Sequence, residues 1–144
     1  MKRIRAGIGW GVVATISMST FHLVAKWLGV FPAWPPTPAA VVRRLFGNEL
    51  PQALIILLAV AFHFGYGAFW GGALWSMARN VTIRKGVALG VFLWLVMQVG
   101  VFPFLGWGIF ARGLNPKIAA AALVEHLVFG VVLGWLGTRS AGVA

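Results

Sequence analysis

The 144-residue chain contains no cysteine and no aspartate, and its whole acid content is two glutamates, Glu49 and Glu125. The missing cysteines exclude disulfides, thiolate metal centres and cysteine nucleophiles, and say nothing of redox compartment. The scarcity of acids excludes paired-carboxylate chemistry and most general acid–base designs. No Ser-His-Asp set, HExxH helix or Walker loop appears either, so no enzyme is expected. Charge of any sign is scarce. Charged residues make up 10% of the chain, against roughly 25% in soluble domains, too few to cover a water-soluble globule.

Hydrocarbon stands in their place. Hydrophobic residues are 60% of the sequence and the mean hydropathy is +0.91. The 12 Lys and Arg leave a formal net charge of +10. Such an excess often points to nucleic acid, but here the cations stand in small groups between long apolar runs. Nucleic acid is therefore not expected as a partner; the cations are expected to orient membrane spans.

A bilayer core about 30 Å thick needs about 20 apolar helical residues. Four stretches meet that length, at about 6–31, 53–78, 86–110 and 118–136. Backbone groups in hydrocarbon must be bonded within their own segment, so runs this uniformly apolar are helices. The expected fold is all-α, a polytopic membrane protein with four transmembrane helices in a single domain over 1–144. Met1-Lys2-Arg3-Ile4-Arg5 resembles the charged start of a signal peptide. The apolar run behind it is too long, however, and lacks a small-x-small cleavage site before Pro32.

Lys2, Arg3, Arg5, Arg79, Arg84, Lys85 and Arg139 fall on one side of these spans; Lys26, Arg43, Arg44, Arg112 and Lys117 fall on the other. The larger group places both termini in the cytoplasm, in a cytoplasmic (inner) membrane. Trp10, Trp75 and Trp135 then mark the cytoplasmic interface, and Trp27, Trp34 and Trp107 the outer one. The long connection, 32–51, opens with a proline-rich segment that cannot continue a helix. Ala39 to Phe46 reads as a short amphipathic helix, Val41, Val42, Leu45 and Phe46 opposing Arg43 and Arg44. It is expected in the headgroup layer, with both arginines on lipid phosphate.

The chain repeats itself. His63-x-x-x-Gly67-x-x-x-Gly71 matches His126-x-x-x-Gly130-x-x-x-Gly134, and Gly7-x-x-x-Gly11 matches Gly86-x-x-x-Gly90 within similar basic contexts. Repeat 1 covers about 4–78 and repeat 2 about 83–138, each a helical hairpin, the two related by a pseudo-two-fold axis along the membrane normal. Glycine costs helix propensity, so its four-residue spacing has a purpose: close helix approach along small-xxx-small seams. The other use of such glycines is room for a flat prosthetic group or a quinone ring.

Intramembrane polar residues are costly and face bundle interiors, paired. Counted from the cations at the span ends at about 1.5 Å per residue, His22, His63, Gln98, Glu125 and His126 fall near one mid-bilayer depth. Glu125 is the sole acid inside a span, and its candidate partners are His22 at equal depth and Lys26 one turn outward. An interior network of His22, Lys26, Gln98 and Glu125 with the histidines is expected, chiefly as hydrogen-bonded glue between helices, with proton or ion handling as the functional alternative. Two histidines at matched positions also invite a bis-histidine b-type haem on His63 and His126. No cofactor is the leading expectation, and no metal site is read.

Lys26-Trp27 followed by the proline-rich stretch, Phe102-Pro103-x-x-Gly106, and Glu125-His126-x-x-x-Gly130 resemble the YagU-like group. Those are small bacterial and archaeal inner-membrane proteins of unassigned biochemical role. The resemblance implies an inner-membrane location and four helices, and brings no reaction or ligand. The expected function is a non-catalytic accessory or structural subunit, whose partners are membrane lipids and either larger membrane subunits or its own copies. An electron-transfer haem or quinone subunit and a small proton or ion channel or transporter are the alternatives.

Overall fold

The computed structural model describes residues 2–140, so the extreme ends of the expected 1–144 domain lie outside the described residues. Helix α1, Lys2–Trp27, begins among the basic residues and ends in a left-handed glycine. Gly29 has φ +70, its N–H reaches the Lys26 carbonyl at 3.1 Å, and the Val30 N–H reaches Ala25 at 3.0 Å. That pair of bonds is a Schellman stop, which only a residue tolerant of positive φ permits cheaply. It ends the span at Trp27 rather than near Phe31.

The chain then runs extended through its prolines into α2, Thr37–Phe46, which carries a proline in its first turn. Helix α3, Gln52–Met77, follows, then a short link to α4, Ile83–Val96. The Thr82 hydroxyl caps α4 by accepting from the Lys85 N–H at 3.4 Å. The span does not stop at Val96. It continues through a π-helical segment, Met97–Val101, and a single turn, α5, Phe102–Phe104. The chain turns back through Gly106 and Gly108, both at positive φ, and a 3-10 turn at Ile109–Ala111. This reversal ends the third span at Phe104, short of the expected Phe110. Phe110 and Ala111 also take positive φ, 56° and 54°, a conformation costly for residues with a Cβ. Helix α6, Lys117–Ser140, closes the described chain.

Four segments, Lys2–Trp27, Gln52–Met77, Ile83–Phe104 and Lys117–Ser140, are long and apolar enough to cross a membrane. Among the described residues there is no strand. Helix α1 packs along α3, α4 along α6, and α1 along α6. A two-fold relating the hairpins would also pack α3 along α4, yet these two share no extensive interface, and Trp70 instead meets Phe92 edge-on with ring centroids 5.7 Å apart. The hairpins resemble each other more than their mutual docking is symmetric.

Two apolar clusters hold the bundle. Toward the termini, Ala14, Trp75, Val81, Leu93, Phe129 and Leu133 are buried together. At the opposite end Phe102, Trp107, Ala111 and Ile118 form a second cluster, against which Trp34, Ala40, Met97 and Leu105 pack. Helix α2 belongs to this second cluster and also lies on α3. It therefore does more than rest among headgroups: Val42 is fully buried, while Leu45 and Phe46 remain about half exposed.

Candidate functional site

The glycine seams are the first feature that sequence spacing pointed to, and each faces a backbone. A Cβ on Gly7 would lie 2.7 Å from the Gly71 carbonyl oxygen, and one on Gly11 would strike the Gly67 carbonyl. Gly67 and Gly71 meet Thr15, Gly11 and Gly7 in return. In the second hairpin Gly86 abuts the Gly130 carbonyl, Gly90 the His126 carbonyl, and Gly134 the backbone of Thr82 and Ile83. All eight positions bring backbones into contact. The registers differ, however. Docked as α1 docks on α3, Gly90 would face Gly130; it faces His126 instead, a slip of one helical turn.

Between the two apolar clusters lies a polar layer. On α1, Ala14 and Met18 belong to the termini-side cluster, Ser19 and His22 follow, and Trp34 already belongs to the other cluster. On α6 the order is Phe129, then His126 and Glu125, then Ile118. His22 Nδ1 and Glu125 Oε1 are 2.6 Å apart, joining α1 to α6. His63 Nε2 is 3.1 Å from Ser19 Oγ, joining α3 to α1. His126 Nδ1 turns back on its own helix and donates to the Ala122 carbonyl at 2.7 Å.

The expected network is thus half realised. His22 pairs with Glu125, His63 pairs with Ser19, and His126 bonds only to its own helix; two other candidates join neither pair. Lys26 is exposed at the end of α1, where the Schellman stop leaves it, and its ammonium makes no hydrogen bond or ion pair among the described residues. Gln98 is fully buried, and neither its amide oxygen nor its nitrogen has a partner in the protein. It lies about two turns from the expected depth: Gly90, not Gln98, is level with His126. Arg139 extends past the start of α4, whose Thr82 and Ile83 face Gly134. Long cations at helix ends reach for the interface from various heights and are poor depth marks.

Two features escaped sequence reading. The segment after Gly29 folds back over the His22–Glu125 pair, placing Trp34 edge-on to the imidazole at 5.0 Å and Phe31 at 6.3 Å. The proline run signalled a direction change but not its target. The second is the π segment that carries Gln98; such one-turn bulges often stand at functional positions in helices.

The residues do not fit a haem between His63 and His126. A porphyrin needs an open slot, and the glycines that could have left one are filled by facing backbone. His63 Nε2 is, moreover, engaged by Ser19. Among the described residues no three His, Cys, Asp or Glu side chains are grouped to hold a metal ion. Arg43 and Arg44 sit on α2, where Arg43 Nη2 donates to Gln52 Oε1 at 2.6 Å and the Arg44 guanidinium lies 5.8 Å over the Phe104 ring.

Four apolar helices with a partly buried polar layer between them define a multi-pass α-helical membrane protein. Within that class the chain belongs to DUF6789, a family of unknown function, whose pattern matches residues 1–143. No curated protein and no solved structure matches it.

Proposed function

We propose that the protein is a non-catalytic accessory component of the cytoplasmic membrane that packs against a larger membrane partner or a second copy of itself. The observation that carries this reading is the contrast between inward and outward glycines. Inside the bundle, the helix-propensity cost of glycine, about 1 kcal/mol each, is offset by backbone contact. Gly9, Gly65 and Gly100 have open space where a side chain would be. Gly9 also lies with Ala6, Trp10 and Val13 in a groove of about 260 Å³ on α1. A glycine facing lipid has no offsetting contact until another helix lies against it. The test is purification from native membranes followed by native mass spectrometry. Assemblies larger than one chain are expected, and Gly9→Leu should dissociate them; a protein that always runs alone as a monomer ends this reading.

Both termini are read as cytoplasmic, supported by the larger cation group and by Trp10, Trp75 and Trp135 at that end. The two hairpins are read as products of duplication, supported by glycines and histidines recurring at matched places. The YagU-like resemblance rests on three short motifs alone, whereas the DUF6789 pattern spans residues 1–143.

One observation favours a second reading, proton handling: a carboxylate and an imidazole 2.6 Å apart inside the membrane-spanning bundle. Proteoliposome flux with Glu125→Gln as the control decides it. Equal flux from both proteins removes the reading.

A further inference from the structure

At the end of the bundle away from the termini, a cleft of about 330 Å³ opens between α2 and the reversal after α5. Arg43, Arg44 and Asn48 line one side, and Leu105 and Trp107 the other. Both arginines are positioned from outside the cleft, Arg43 by Gln52 and Arg44 by the face of Phe104. Neither is neutralised. The one ion pair among the described residues is His22–Glu125, and Glu49, though near in sequence, pairs with neither arginine. Two arginines lining one cleft without a paired carboxylate offer guanidinium forks to an anion with several oxygens, which such forks bind in pairs of hydrogen bonds.

The surroundings select among anions. Leu45, Phe46, Phe104 and Ile109 are each about half exposed near the cleft residues in the chain, an apolar skirt suited to acyl chains. Trp107, 9% exposed, is buried against Phe102 in the second cluster and gives the cleft a rigid apolar wall. Behind the Trp107 wall the same reversal holds Phe110 and Ala111 at positive φ, and Ala111 is buried in the cluster with Trp107. A strained turn persists where its surroundings over-determine it, and such turns gather at ligand sites. We infer that this cleft binds the phosphodiester headgroup of an anionic phospholipid from the leaflet on the α2 side, with Arg43 and Arg44 on the phosphate and Asn48 at the rim. This goes beyond packing against a protein partner and does not depend on it.

The test uses the full chain in detergent, with native mass spectrometry after adding phosphatidylglycerol or phosphatidylcholine. The wild type should retain phosphatidylglycerol by roughly tenfold or more over phosphatidylcholine. Arg43→Gln/Arg44→Gln should abolish that preference, and Arg79→Gln, at the opposite end, should keep it. Asn48→Glu places a negative charge in the cleft from an exposed position and should also abolish it, which preserves the test if the double variant does not fold. Four results overturn the inference: no preference in the wild type, preference retained by both cleft variants, equal loss in Arg79→Gln, or displacement of the lipid by inorganic phosphate. The last would mark a soluble-anion site instead.

Discussion

The two hairpins carry the same glycines and matched histidines, yet they use them differently. In the α1–α3 pair the seam admits Thr15, and His63 reaches across to Ser19. The alignment that matches Gly7 with Gly86 sets Ser19 against Gln98 and Thr15 against Trp94. In the α4–α6 pair, however, Trp94 donates its indole N–H to the Ala119 carbonyl at 2.9 Å, and the seam is slipped by one turn. That slip carries Gln98 farther from His126. The histidine then bonds to its own helix, and the amide is buried without a partner. Small residues fix how closely two helices approach; the larger residues between them fix the register, and register decides which polar groups meet.

The strongest way to break the comparison is at the feature the hairpins share. Gly11→Leu and Gly90→Leu each drive a side chain into a facing carbonyl. Overpacking costs typically 1–3 kcal/mol when side chains can yield, and a backbone yields less. Each variant is expected to lose folded, monodisperse protein, read by yield and thermal unfolding in detergent. A tolerant Gly90→Leu would mean that the second seam is not closed.

The next effect is at the joint between hairpins. The His22–Glu125 contact is partly exposed, 28% and 13% for the two side chains, so water screens part of its strength. His22→Ala is expected to cost about 2 kcal/mol, in the range of hydrogen bonds to charged groups. Glu125→Gln should cost less, because the amide still bonds to the ring. Equal losses would indicate that the carboxylate is held by something other than His22.

The matched polar pair gives opposite signs. Gln98→Leu should stabilise the protein by about 1 kcal/mol, since it removes a buried amide without partners. Ser19→Ala should destabilise by about 0.6 kcal/mol, the typical worth of an interhelical hydrogen bond in a membrane protein. Unfolding in graded sodium dodecyl sulfate measures both. A destabilising Gln98→Leu would point to a bond or a bound molecule at the π segment.

The four spans and the eight seam glycines were legible because hydropathy over twenty residues and a four-residue small spacing report directly on membrane crossing and close approach. The His22–Glu125 pair was legible too, since a lone intramembrane acid has few possible partners. The register slip was not: it depends on how Trp94 and its neighbours fill space across the seam, which no period encodes. Lys26 and Gln98 lie away from their expected depth for a related reason: residue counts along single helices ignore a glycine stop and an overhanging helix end, which shift the reference points. The return of Trp34 over His22 is a long-range contact, to which a run of prolines contributes only a change of direction.

An effect of the same small order separates inner packing from outer. Gly9 in the first hairpin corresponds to Ala88 in the second, so Gly9→Ala makes α1 more like α4. Open space surrounds Gly9, and the change should raise the stability of the isolated protein by up to about 1 kcal/mol, the propensity difference alone. The neighbouring change Gly11→Ala should lower it, because its methyl meets the Gly67 carbonyl. In native membranes the sign at Gly9 should reverse if a partner helix lies in the groove beside Ala6 and Val13: the isolated chain gains stability while the assembly loses occupancy. A variant that stabilises the monomer and leaves the assembly intact would move the contact face away from α1.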